Sequence, residues 1–297
     1  MDEFNNRPCD QQLMEDIRSN RRSGKAGKVL VCVGLIIVAI GAVAGFMIPV
    51  MIAGAVLSII GERIQEKKRN EVAHQLSGSV VQDALKAVLE DPALDPNKSL
   101  GYKPVDGSGI PLIDHSSVRG SNYVRGRYKG MEVELSSIDL YKDTSTYIEE
   151  MNQWKESEDV IYRGQWLVCR FGVPSNVDLT LCPSGKLDRL FRRDSIKTGN
   201  ETFDKRFRLG SDTEPALRSF LTPGRVERLL AMADTADGGL SLALRRDGTL
   251  YIAVQSGHGF FDIGKARESA AELRERFTRE LRWYTDMIDL MRPAGGL

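Results

Sequence analysis

The chain has 297 residues, about two domains' worth at ~100–200 residues each, with 41 basic and 41 acidic side chains and a formal net charge of zero. That balance argues against a protein dedicated to nucleic acid, which carries a basic excess. With 41% apolar and 28% charged residues, most of the chain should fold and bury a core, while four Cys and three His are too few for a disulfide scaffold or a clustered metal site.

Residues 1–28 form a polar head that ends in a basic run: Arg18, Arg21, Arg22, Lys25 and Lys28. Residues 29–61 then carry no charge at all. One straight helix of that length would be ~50 Å long, too long for a hydrocarbon layer of ~30 Å at ordinary tilts. Pro49 breaks the middle, so two short helices, 29–44 and 50–61, joined by a tight apolar turn fit better. Arg63, Lys67, Lys68 and Arg69 follow. Both flanks are basic, and basic flanks stay in the cytoplasm, so the reading is an inner-membrane hairpin, crossing or re-entrant, with both termini cytoplasmic. The lipid bilayer is then the first expected partner. Gly41 and Gly45 suit close packing between the two arms or a dimer contact.

Residues 62–91 read as a juxtamembrane amphipathic helix, with Val72, Ala73, Leu76, Val80, Ala84 and Val88 along one face and a stop near Asp91-Pro92. Residues 92–118 are rich in Pro, Gly, Asp and Ser and read as a linker or loop. Residues 119–297 read as a cytoplasmic α+β domain with a mainly antiparallel sheet. Strands 122–127 and 131–141 flank Tyr128-Lys129-Gly130. The apolar phase slips between Leu135 and Ile138, which predicts a bulge at Ser136-Ser137. Residues 160–171, with Trp166, read as a central strand, and 177–181 as a shorter one. Asp212 is expected to cap a short helix, and Thr222-Pro223 to open a longer one. Leu240, Leu242, Leu244 and Leu250, Ile252, Val254 flank Asp247-Gly248, a two-residue hairpin turn. A last helix over 265–291 carries Ala266, Ala270, Leu273, Phe277, Leu281, Tyr284, Ile288 and Met291 at a 4-3 spacing. With Glu272–Arg276 and Glu275–Arg279 as i,i+4 pairs, this stripe suits either its own sheet or a seam with a protein partner or a second copy. Fewer than four heptads favours its own sheet.

The stretch from Asn122 to Ser136, the strand entry Tyr162-Arg163-Gly164-Gln165-Trp166 and the run Phe203-Asp204-Lys205-Arg206-Phe207-Arg208-Leu209 form an ordered set. Ser211-Asp212, Pro215-Ala216, Leu221-Thr222-Pro223, Arg228-Leu229-Leu230 and Tyr251-Ile252-Ala253-Val254 continue it. Over residues 120–260, behind a short apolar hairpin, the chain resembles the bacterial domain-of-unknown-function family 3137. The resemblance implies a bacterial membrane protein with a cytoplasmic α+β domain, and it implies no activity.

No nucleotide loop of the Gly-x-Gly-x-x-Gly or Gly-x-x-x-x-Gly-Lys-Ser type is present, nor a Gly-x-Ser-x-Gly elbow, so no catalytic residue, cofactor or metal site is assigned. His74, His115 and His258 lack ligand spacing, and Cys169 and Cys182 read as reduced buried thiols. Asp204 and Asp212 read as cap and turn residues rather than an acid–base pair. The most basic soluble stretch holds Lys186, Arg189, Arg192, Arg193 and Lys197, with Lys205, Arg206 and Arg208 behind it. It suits an anion or partner contact, or a solvated face offset by Asp188, Asp194 and Glu201. The reading is a membrane-tethered scaffold or interaction module, with an anionic ligand or lipid sensor using 186–208 as the alternative.

Overall fold

The computed structural model describes residues 79–148, 153–185, 195–263 and 268–293. The expected membrane hairpin at 29–61, the polar head and most of the juxtamembrane helix lie outside the described residues. Among the described residues, no helix is long and apolar enough to cross a membrane.

These residues divide into two compact units, one of 79–83 with Ile263 and 268–276, the other of 84–262 with 277–293. Helices α1 (Val80–Lys86) and α6 (Ala270–Met291) each contribute to both. In the first unit Arg274 Nε donates to Asp83 Oδ2 at 3.1 Å. Ser269 and Glu272 form a capping box: the Glu272 N–H reaches Ser269 Oγ at 3.3 Å, and the Ser269 N–H reaches Glu272 Oε2 at 2.7 Å. That box starts α6 at Ala270 rather than Lys265 and takes Glu272 away from Arg276. Arg276 binds Glu268 instead, at 2.9 Å.

The second unit is built on one eight-stranded sheet. Its strands are β1 (Glu90–Asp95), β2 (Ser117–Tyr128), β3 (Met131–Ile148), β4 (Gln153–Arg170), β5 (Leu179–Pro183), β6 (Phe207–Gly210), β7 (Gly239–Leu244) and β8 (Thr249–Gln255). Their order is β1-β2-β3-β4-β8-β7-β5-β6 and every pairing is antiparallel. Between the strands lie α2 (Tyr102–Asp106), α3 (Glu201–Arg206), α4 (Glu214–Phe220) and α5 (Pro223–Thr235).

The stretch 92–118 is therefore not a linker: it holds most of β1, all of α2 and the start of β2. Helix α1 ends at Lys86, ahead of the expected stop, because the chain turns into β1. Pro92 sits in that strand because β1 is at the sheet's edge and its register shifts between Glu90 and Ala93, so Pro92 has no paired partner in β2.

Strands β2 and β3 meet at the expected turn, with Lys129 at φ 49° and Gly130 at φ 76°, the two left-handed residues of a type I′ hairpin. The expected bulge is on the other strand. Pairing of β3 with β4 runs unbroken through Ser136↔Trp166 and Ser137↔Gln165, while β2 shifts register between Ser121 and Val124, with Asn122 at φ 56°. The phase slip has a different cause: both faces of the sheet are covered. Met131, Val133 and Leu135 are buried on one face, Ile138 and Leu140 on the other. Ser136 and Ser137 lie at the crossover, and their hydroxyls satisfy the Ser121 carbonyl at 3.0 Å and the Phe260 N–H at 2.9 Å.

One face carries Ile138, Leu140, Trp166, Ala243 and Ala253 beneath Val105 and Ile110 of the 100–113 segment. The other carries Leu135, Leu167, Ile252 and Leu242 beneath α6, where Tyr284 donates to Gln165 Oε1 at 2.8 Å. Helix α5 lies against α6 through the Trp283 indole N–H, which reaches the Met232 carbonyl at 3.1 Å. From Phe277 to Met291 the apolar stripe of α6 is buried within its own chain.

Thr222 caps α5 as expected, accepting from the Arg225 N–H at 3.4 Å. Helix α4 is capped by Thr213 instead of Asp212, and without a side-chain bond, because the Thr213 hydroxyl accepts from the Asp178 N–H at 3.1 Å. The β7–β8 turn is one residue longer than expected. Gly248 at φ 81° donates to the Arg245 carbonyl at 3.0 Å, a type I turn closed by a left-handed glycine.

Candidate functional site

Strand β2 stops pairing at Ser117↔Tyr141, and β8 pairs with β4 only from Gln165 to Arg170. Yet β3 and β4 stay paired out to Ile148↔Gln153. Residues 142–148 and 153–159 therefore form a two-stranded ribbon that leaves the sheet. At ~3.3 Å per residue its seven paired positions reach on the order of 20 Å beyond the last β2 contact.

Ahead of the ribbon, β8 leaves β4 at Gly164. A Cβ there would lie 2.1 Å from the Val254 carbonyl oxygen and 2.8 Å from the Tyr162 hydroxyl, so only glycine lets β8 end and Tyr162 fold back at this corner. The register shifts once more between Leu140 and Tyr141, which leaves Ile161 as the extra residue of β4.

Beyond that bulge Asp143↔Glu158 and Ser145↔Glu156 share one face, and Trp154 follows on it. Asp143, Thr144, Ser145, Glu156, Ser157 and Glu158 line an open depression of about 480 Å³. Glu158 is held by Arg119 at 2.6 Å, while Asp143 and Glu156 form no ion pair among the described residues. Trp154 is 68% exposed and Val160 45%. From Lys142 to Asp159 the sequence holds six carboxylates against two lysines. Among the described residues no strand pairs with the outer edge of β4 between Gln153 and Ile161.

The ribbon was not legible in the sequence, because its residues alternate polar with polar. Thr144, Thr146, Tyr147, Ile148 and Trp154, all of strand-forming type, were the signal for it.

Of the basic residues singled out above, Lys186, Arg189, Arg192 and Arg193 lie outside the described residues. The other four are described. Lys197 donates to the Asp204 carbonyl at 3.4 Å, and Arg208 lies in β6 opposite Cys182. Lys205 binds Glu201 at 3.2 Å within α3. Arg206 binds Asp234 and donates to the Ala233 carbonyl at 2.7 Å, joining α3 to α5. Asp204 accepts from the Thr198 and Gly199 N–H groups at 2.9 and 3.3 Å, the turn role expected of it. Cys169 and Cys182 are buried, not disulfide-bonded, and on opposite faces of the sheet. Burial pushes the Cys169 thiol up to about 12. Among the described residues no group of three or more His, Cys, Asp or Glu is placed to hold a metal ion.

A second, smaller feature lies under the 110–113 segment. A cavity of about 30 Å³ opens between Ile113, Leu140, Tyr162, Pro183 and Ala253, a volume that suits a single water. Burial raises the Tyr162 phenol, and the indole N–H of Trp166 offsets part of that rise. Neither the Tyr162 hydroxyl nor Trp166 Nε1 reaches good hydrogen-bond geometry with a partner among the described residues.

His258 is a structural histidine. Its Nδ1 lies 3.0 Å from the Gly259 carbonyl and its Nε2 2.6 Å from Asp237 Oδ2. Two acceptors call for a proton on both nitrogens. Burial alone would lower its pKa, but the Gly259 carbonyl and the Asp237 carboxylate carry it above the usual value. Because the folded pKa is the higher one, the added stability is complete below about pH 6.5 and is lost as pH rises through the folded value. Asp237 is mostly exposed, so the effect should stay below about 1 kcal/mol. Thermal unfolding between pH 5.5 and 8.5 should show wild type losing more than His258→Gln; parallel curves would refute the assignment.

The geometry defines a class: an α+β domain on an antiparallel sheet covered on both faces, with a projecting ribbon and no described metal cluster. Residues 160–292 match the family described as a protein of unknown function, DUF3137, which bears out the resemblance for that stretch. The match begins at Val160, so β1 to β3 and ribbon residues 142–148 and 153–159 lie outside it. A search of curated proteins found no match. The crystal structure of the mycobacterial trehalose monomycolate transport factor A, TtfA, aligns with a TM-score of 0.38 and 13% sequence identity. That alignment covers 74% of this chain and 97% of that one, and at this score it defines neither fold nor function here.

Proposed function

We propose that this chain is a membrane-tethered interaction module, held at the bacterial inner membrane by residues 29–61, whose docking element is the ribbon of 142–148 and 153–159. The observation that carries the reading is the ribbon itself. It leaves the sheet with an unpaired edge, an exposed Trp154 and a carboxylate-lined face. A tether supports such a role by raising the domain's effective concentration toward partners in the same membrane. The uncharged run at 29–61 between two basic clusters supports the tether. The sensor alternative rests on residues 186–197 of the sequence, since Lys205 and Arg206 are engaged with Glu201 and Asp234.

The test is photo-crosslinking of the full-length chain in cells from position 154, with Glu227 on α5 as an exposed control. A discrete protein adduct at 154, missing at 227 and retained in carbonate-washed membranes, is the expected result. Equal adducts at both positions would remove the ribbon from the reading. Release of the chain by carbonate would remove the tether.

A further inference from the structure

An unpaired strand edge presents backbone N–H and C=O groups that another extended chain can satisfy. On the outer edge of β4, alternation places Trp154, Glu156, Glu158 and Val160 on one face in that order, with no register shift from Gln153 to Val160. Cross-strand neighbours decide which chain fits such an edge. An acidic strand would set like charges opposite Glu156 and Glu158, whereas a basic one is attracted. The ends of the same face offer apolar surface at Trp154 and Val160, both exposed.

We propose that this edge binds, as an added strand, a basic extended segment of a partner protein. Its facing residues read apolar, basic, basic, apolar at alternate positions. The addition is antiparallel, as is every other pairing in this sheet. Glu156, with no ion pair among the described residues, takes the first cation. Glu158, already held by Arg119 at 2.6 Å, shares the second. This inference rests on the ribbon being the docking element.

The probe is a labelled nine-residue peptide of sequence TVTRTRTVT, titrated by fluorescence anisotropy against the full-length chain in mild detergent. It should bind about tenfold tighter than TVTETETVT, and Glu156→Gln with Glu158→Gln should remove most of that difference. N-methylation at alternate peptide positions separates strand addition from simple charge attraction. One methylated set should abolish binding while the other, facing away from the edge, is tolerated. No binding, equal binding of the two peptides, or indifference to both methylated sets would overturn the proposal. Should crosslinking at 154 succeed while the peptide fails, the ribbon reading stands and the strand chemistry falls. Failure of the crosslink removes the ribbon reading itself.

Discussion

Replacing Arg245 with Ala should cost about 3 kcal/mol, the lower end for breaking a buried ion pair, because it removes the cation that faces the mostly buried Asp178 carboxylate. The guanidinium faces Asp178 at 3.3 Å, with the two side chains only 21% and 12% exposed. It also donates to the Ser108 carbonyl at 2.7 Å and to Thr180 Oγ1 at 3.2 Å. One side chain therefore fastens the 100–113 segment to β5 and β7. Denaturant unfolding of the full-length chain gives the cost. The double variant Arg245→Met with Asp178→Asn should recover at least half of it, since an uncharged pair pays no desolvation cost for a buried charge. A double variant no better than the single one would show that the packing of the segment, not the charge, sets the loss.

Trp166→Ala should be at least as severe, about 3–5 kcal/mol, since the indole is fully buried between Ile138, Leu140 and Ala253. Trp166→Phe should cost far less, under about 1.5 kcal/mol. It keeps most of the ring and removes an N–H that finds no well-placed acceptor. The two variants unfolded side by side decide the matter. A Phe variant as unstable as the Ala variant would mean that the N–H is satisfied in solution.

Local chemistry made part of this architecture readable. Lys129-Gly130, Thr222-Pro223 and the Leu240–Val254 alternation each specify their element within a few residues, and the structure has all three. The failures share one physical cause: they depended on what lies across the sheet. Pro92 argues against a strand until β1 is known to be the edge. The slip at Ser136-Ser137 reads as a bulge until both faces are known to be covered. The ribbon has no apolar alternation, because it buries neither face. At the candidate site, the sequence displayed the basic stretch through its charge but could not say that Arg206 would be taken up by Asp234, nor that β3 and β4 would outrun their neighbours.

The strand order also fixes how the sheet must be completed during synthesis. Strands β1 to β4 are consecutive neighbours, and β5, β6 and β7 pair among themselves. The last strand to leave the ribosome, β8, is the one that joins these two halves, by inserting between β4 and β7. Roughly 80 residues separate Arg170 from Thr249, so at about 5–20 residues per second the first half waits several seconds with the apolar end of β4 unpaired. A nascent chain stalled before Thr249 holds two half-sheets with open apolar edges, the kind of species that aggregates or is taken up by a chaperone.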